Sequence, residues 1–276
     1  MASGAIDRRR INGPEESFPP VYDDEDAPQP SATRSDRGEL DIRPICTSIV
    51  LRSVFPNLTP PPVLRPGLIS QANGSAYIEA DKIKIACAVY GPRQNKNVAY
   101  SEQGRLNVEV KYAPYATARR KAPLRDAEDR SIGVAIHQAL LASVRLELLP
   151  KSTVDIFLVI IEADGKEASI ASGVVAASAA LADAGIEMLG LVSSCSAAVT
   201  WDKIWLDPSA AESEQADGTV ILSCMPALDS VTSVWQSGRL PPQKALECMH
   251  ACQQKCVDIH SVVAQALLEH HQTQTS

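Results

Sequence analysis

Aromatic side chains are scarce in this chain of 276 residues, where Phe, Trp and Tyr together make up only 4%. The core must therefore be built mainly from Ala, Val, Ile and Leu. Long apolar runs are missing as well. No stretch approaches the roughly 20 apolar residues that a membrane-spanning helix needs. The opening MASGAIDRRRINGPEES contains no apolar segment of signal-peptide type. The expectation is an intracellular protein with no membrane partner. An excess of positive charge is the third absence: 26 Lys and Arg stand against 33 Asp and Glu, a net charge of −7. That argues against wholesale coating of nucleic acid and leaves room only for a local basic patch. The 7 cysteines are odd in number and lie mostly inside apolar runs, so they read as reduced core thiols rather than as a disulfide framework. No P-loop, Rossmann fingerprint or Ser–His–Asp arrangement is present.

What is there suits a globular protein. Hydrophobic residues make up 45% and charged residues 21%, and the length allows one large domain or two small ones. Residues 1–36 include GPEESFPPVYDDEDAPQPSATRSD, rich in Pro, Ser and acids and without apolar periodicity. Such a tail cannot bury enough surface to offset its ordering entropy and is expected to be disordered. The folded part is taken as one domain over 37–276.

Within it, DIRPICTSIVL reads as a strand, followed by a Pro-rich connection, VFPNLTPPPVLRPG. GSAYIEA and IKIACAVYG form a hairpin around Asp81 and Lys82, and RLNVEVKYAPYA alternates like a further strand. LRDAEDRSIGVAIHQALLASVRLELLP has helical period, with Asp126 or a neighbour as cap and an apolar stripe of Ile132, Ala135, Ile136, Ala139 and Leu140. The strand STVDIFLVIIEADG then leads into an Ala/Ser helix, EASIASGVVAASAALADAG, whose small side chains suit close packing on a sheet. EMLGLVSSCSAAVTWDKIWLD and GTVILSCMPALDSVTSVWQSG supply more strands, and a long helix closes the chain. This order implies an α+β fold with helices packed on mixed or antiparallel sheets.

Three stretches carry a family resemblance. RSDRGELDIRPI, from Arg34 to Ile45, resembles the opening signature of RNase PH-type proteins. GSAYIEADKIKIACAVYGPR, from Gly74 to Arg93, resembles their hairpin and the turn that ends it. EADGKEASIASGVVAASAALADAGIEM resembles their central strand–turn–helix. Within that family LISQANGSAYIEA, CAVYGPRQ and ALADAGIEM are most similar to ring subunits of the eukaryotic RNA exosome. The resemblance implies the RNase PH fold, a duplicated β-α unit of the ribosomal protein S5 domain 2 type. It also implies a place in a hetero-hexameric ring of RNase PH-type subunits, S1/KH-type RNA-binding cap subunits as partners, and RNA in a central channel. A nuclear, nucleolar and cytoplasmic location follows from the same resemblance, as does a role in RNA processing and degradation, including rRNA maturation.

Active members of the family use phosphate as the nucleophile, which requires a cationic cradle and carboxylates for metal binding or proton transfer. At the cradle, where the family carries Gly-Gly-Thr-Arg-Thr-Ala-Ser, this chain has only Gly165, Lys166 and Glu167 between Asp164 and Ala168. The Thr-Arg pair has no counterpart, and Glu167 puts a carboxylate where a dianion would bind. A Glu in the first turn of a helix suits the helix dipole instead. In the acidic segment, LDPSAAESEQADGTVILSCMP aligns Ser213 and Thr219 with the family's two catalytic carboxylates, with Asp217 nearby. Lys166, Glu167, Ser213 and Thr219 therefore read as degenerate active-site positions, and neither catalysis nor a cofactor is expected.

Other constellations are weaker. Cys248, Cys252, Cys256 and His260 recur every four residues of the last helix. They span roughly 18 Å of helix rise, too far for one tetrahedral ion with bonds of about 2.0–2.3 Å. An adjacent pair such as Cys256 and His260 would need ligands from elsewhere, so the favoured reading is a small-residue face packed on the sheet. In ATARRKAPLR the cations Arg119, Arg120 and Lys121 are candidates for RNA backbone contact, with Arg93 a further one; a solvated or boundary loop is the competing reading. His137 is read as packed or hydrogen-bonded. The leading function is a non-catalytic exosome ring subunit. The alternatives are an active phosphorolytic 3′-to-5′ exoribonuclease with a composite site and a free-standing RNA-binding module.

Overall fold

The computed structural model describes residues 38–43, 63–94, 101–117, 120, 127–200 and 203–275. The acidic tail, Asp126 and most of the expected DIRPICTSIVL strand lie outside them, and Asp41–Arg43 themselves form no strand. The first half of the fold contains β1 (Val63–Pro66), β2 (Gly74–Ala80), β3 (Ile83–Gln94), β4 (Arg105–Tyr112), α1 (Ala127–Leu141), β5 (Ser152–Glu162) and α2 (Lys166–Asp183). The second contains β6 (Ser193–Thr200), β7 (Lys203–Leu206), α3 (Ala210–Gln215), β8 (Gly218–Met225), β9 (Ser230–Gly238) and α4 (Pro242–Thr275). One sheet runs β1-β2-β3-β5-β4 and the other β7-β6-β8-β9. Every pairing is antiparallel except β4–β5, which a crossover through α1 makes parallel. The expected α+β architecture with mixed sheets is therefore present.

Side-chain alternation explains the first sheet. Ile78 and Ala80, Ile85 and Cys87, and Ile156, Leu158 and Ile160 point inward and are buried. Two residues close the β2–β3 hairpin, with Ala80 opposite Ile83 and Asp81 at φ 54. A short tight turn needs positive φ there, and Asp tolerates it. In the second sheet β6 and β8 bury all their residues. Both faces of that sheet are covered, one by α2 and the other by α4. The register shows this: Ala198 and Thr219 lie opposite one another on the face that meets α2, and Cys195 and Leu222 on the face that meets α4. The layers are thus sheet, α1 with α2, sheet, and α4.

Two expectations need correction, and one element had no counterpart in the sequence reading. The Pro-rich connection contains β1, because an edge strand can accept Pro66 at its end. The helix expected to run to Pro150 stops at Leu141, where Ser143 turns back and both its N–H and its hydroxyl donate to the Leu140 carbonyl. The segment after Pro208 folds into α3, started by a capping box in which Ser209 and Glu212 satisfy one another's backbone N–H groups. The stripe of α1 is as expected, with Ile132, Ala135, Ile136, Ala139 and Leu140 all buried.

Two glycines are needed for different reasons. A Cβ on Gly74 would overlap the backbone of Ala180 and Ala184 at the end of α2, whereas Gly185 has open space but φ +68. Gly74→Ala is expected to lose about 3 kcal/mol by overpacking, against about 1 kcal/mol of left-handed strain for Gly185→Ala. Urea unfolding of the two purified variants compares them directly.

Candidate functional site

Two turns from different halves of the chain meet at the start of α2. β5 ends at Glu162, and Ala163, Asp164 and Gly165 bend the chain into the helix, with Gly165 at φ 93. β7 ends at Leu206, and Asp207 turns at φ 49 toward Ser209, the cap of α3. Arg43 lies between them and is 3% exposed. Its Nη2 is 3.0 Å from Asp164 Oδ2 and its Nε 3.3 Å from Asp207 Oδ2. Its backbone N–H donates to the same Asp207 oxygen at 3.0 Å, and Nη2 also donates to the Pro208 carbonyl at 3.3 Å. Asp164 completes the tie by accepting at Oδ1 from Ala210 N–H at 3.0 Å. One guanidinium thus serves two carboxylates inside the fold. Upstream, Lys203 pairs with Glu39 at 2.6 Å, and Leu206 N–H donates to the Glu39 carbonyl, which lays the segment along β7.

The four positions expected to be degenerate, Lys166, Glu167, Ser213 and Thr219, lie on the elements around this junction. Thr219 Oγ1 donates to Glu167 Oε1 at 3.4 Å, joining β8 to the first turn of α2. Lys166 does not reach Asp217; its Nζ stands 5.9 Å from the centre of the Trp235 ring on β9, a cation–π contact. Asp217 is held by its backbone, which donates to the Val199 carbonyl and accepts from Arg239 N–H. Ser213 sits on α3, where its hydroxyl is buried without a hydrogen-bond partner. Arg43, Asp164, Asp207 and Trp235 were not singled out from the sequence. The RPI signature marked the place of Arg43, but nothing local marked its partners.

The basic candidates do not form one patch. Arg93 is exposed and lies 5.0 Å over the Tyr90 ring, and its register partner Thr153 stands at the start of β5. Arg120 is exposed, while Arg119 and Lys121 lie outside the described residues. The loop that carries them departs from the other end of β5, where Ala163 N–H donates to the Ala116 carbonyl at 3.0 Å. From Thr153 to Glu162 the strand covers about 30 Å at ~3.3 Å per residue. Among the cysteines, Cys248, Cys252 and Cys256 are each 0% exposed against the second sheet, the packed face expected for them. His260 and His137 are half-buried.

Removing Arg43 leaves two carboxylates facing one another at the junction. Arg43→Ala is expected to lose about 3 kcal/mol of stability. Arg43→Lys should recover only part of it, because a single ammonium cannot reproduce the planar fork. Denaturant midpoints of the three proteins are the measurement, and an unchanged midpoint for Arg43→Ala would exclude a structural role for the junction.

The models of the 3' exoribonuclease family match this chain in two parts, domain 1 over residues 61–187 and domain 2 over 190–255. The boundary falls between α2 and β6, where one sheet gives way to the other. Exosome complex component mtr3 of Schizosaccharomyces pombe is 33% identical over 267 residues, covering 95% of this chain and 96% of that protein. Exosome complex component MTR3 of Homo sapiens is 34% identical over 254 residues, 84% of this chain and 83% of that one. Among solved structures, rice (Oryza sativa) Rrp46 has the same fold, with a TM-score of 0.68 at 20% identity over 77% of this chain and 97% of that one. With two sheets, a shared central helix and both domain models matched in order, the chain belongs to the RNase PH 3′ exoribonuclease family.

Proposed function

We propose that this chain is a non-catalytic structural subunit of an RNA exosome core ring, acting in the nucleus, nucleolus and cytoplasm. The observation that carries the proposal is the occupation of the α2 turn by the chain's own charges. Asp164 is committed to Arg43 and Ala210, Glu167 stands in the first helical turn against Thr219, and Lys166 is drawn to Trp235. An incoming phosphate would meet a carboxylate and find no guanidinium in the turn to bind it. Two like charges 4 Å apart repel by about 4 kcal/mol at an effective dielectric of 20, and a dianion by more. The acid pair that the family's chemistry calls for is replaced here by Ser213 and Thr219, neither of which ionises in the ordinary pH range.

The names of the relatives, exosome complex components in both fungus and human, support the assembly part of the reading. In this role the chain contributes surfaces to neighbouring RNase PH-type subunits and to S1/KH-type cap subunits. The loop of Arg119, Arg120 and Lys121 is the candidate for RNA contact in the channel, with Arg93 as a separate, more distant one. Metal ions and cofactors have no part in it.

Purified alone and supplied with RNA, inorganic phosphate and a divalent ion, the chain is expected to release no nucleoside diphosphates. Robust phosphate-dependent release would overturn the non-catalytic reading. A tagged chain isolated from its native source should bring down several RNase PH-type subunits and the caps in one particle. A stable monomer that binds RNA alone with steep salt dependence would favour the RNA-binding-module alternative instead.

A further inference from the structure

Four strands end the two sheets, and three of them resist pairing with another chain. β1 is four residues long and contains Arg65 and Pro66, and β7 is four residues long and begins with Lys203. β4 carries Arg105, Glu109 and Lys111 along its length. Shortness, proline and charge are the devices by which an edge avoids a stray strand. β9 has none of them, since SVTSVWQSG is nine residues long without a charge or a proline. It pairs with β8 on one side, and among the described residues no strand pairs with its other side. A register shift between Ser223 and Cys224 disturbs only its start, so residues 233–238 keep a regular row of backbone donors and acceptors.

The side chains beside that edge are apolar and exposed. Val231 and Val234 lie opposite Cys224 and Leu222, on the face that meets α4, and are 51% and 48% exposed. α4 runs back along them, because its Gln253 Nε2 donates to Asp229 Oδ1 at 2.9 Å just before β9 begins. Leu246 stands on the same side of the helix as Gln253, about 10 Å back toward the middle of β9, and is 53% exposed. Charge enters only beyond the strand, with Asp229 before it and Arg239 after it. An antiparallel strand of the same pattern, centred on Val234, sets acid against base at both ends.

These features define an occupant. Open backbone N–H and C=O groups call for an extended strand. A strand with charges along its length would lose their hydration on this edge without gaining partners. An uncharged strand ended by opposite charges fits, with an apolar face behind it. We propose that β9 seats a neighbouring RNase PH-type subunit, which adds such a strand antiparallel to residues 233–238 and packs an apolar face on Val231, Val234 and Leu246. The inference rests on the ring assembly proposed above and gives that assembly a contact surface on this chain. The second sheet then continues across the boundary, and the unprotected edge is covered.

The test is photo-cross-linking of the tagged full-length chain isolated from its native source. Gln236→p-benzoylphenylalanine puts the probe at an exposed position of β9, on the same face as Val234. The expected adduct joins β9 to one RNase PH-type subunit. An adduct with a second copy of this chain, an S1/KH-type subunit or any other protein overturns the proposal, as does no adduct while RNase PH-type subunits copurify. An isolate without RNase PH-type subunits overturns the ring assembly itself, so the two failures are told apart. Val234→Lys should lower recovery of the cross-linked subunit by about tenfold, with a melting temperature within about 2 °C of the unsubstituted chain. Undiminished recovery overturns the proposal. The cross-link is read with Val234 in place and decides the matter whatever Val234→Lys does to folding.

Discussion

The structure depends on placing one helix, α2, between two sheets. A helix flanked on both sides cannot carry a polar stripe, and large side chains would hold the sheets apart. The sequence KEASIASGVVAASAALAD meets both conditions, with residues 173 to 181 buried without interruption. Its hydroxyls cause no unsatisfied burial where they serve the chain itself. Ser169 donates to the Gly165 carbonyl at 2.6 Å, and Ser178 accepts from Val192 N–H at 2.9 Å where the second half begins. At Gly173 a Cβ would come 2.8 Å from Ile136 Cδ1, so the same economy of volume governs the contact with α1. The far end is fastened as firmly: Asp183 accepts from Ser75 N–H at 2.9 Å, and His270 of α4 lies 3.5 Å from it.

The near end of the helix is where family chemistry would take place, and there electrostatics decides. The first turn of a helix leaves N–H groups without intrahelical partners and favours negative charge. This chain answers the preference internally, with Glu167 in the turn and Asp164 just before it. Asp164 in turn needs Arg43, and Arg43 needs Asp207 beside it. A buried guanidinium is costly to desolvate, and Nε and Nη1 of Arg43 are buried without a hydrogen bond, so the two carboxylates at 3.0 and 3.3 Å are what hold it. The tie therefore works as a registration device, setting the first sheet's turn against that of the second. An arginine used in this way is not available to a ligand.

The legibility of these features in the sequence followed the range of the interactions. The β2–β3 hairpin and the α1 stripe could be read because periods of 2 and 3.6 repeat within a few residues. β1 was hidden by its prolines. α3, only one and a half turns long, was not read from the sequence, because six residues are too few to show helical periodicity. Lys166, Glu167 and Thr219 were singled out by the family resemblance, and the structure brings Thr219 to Glu167. What could not be read was the use of the charges. Arg43 meets Asp207 across 164 residues, and Lys166 finds Trp235 on a strand from the other half. Local patterns specify faces, and only the closed fold specifies which charges share a face.

The same reasoning separates two basic features that the sequence placed on equal terms. Arg93 and the loop of Arg120 belong to opposite ends of β5, about 30 Å apart along the strand. A single RNA strand crossing one narrow passage meets only one of those ends. At the end shared with the α2 turn, Ala163 N–H donates to the Ala116 carbonyl just before that loop. Arg93 instead rests on Tyr90, whose ring meets Phe157 edge-on at 5.8 Å. Its guanidinium is partly satisfied by that aromatic face on the outer side of the first sheet. The cations of Arg93 and Arg120 thus serve opposite ends of β5, and one short contact cannot engage both.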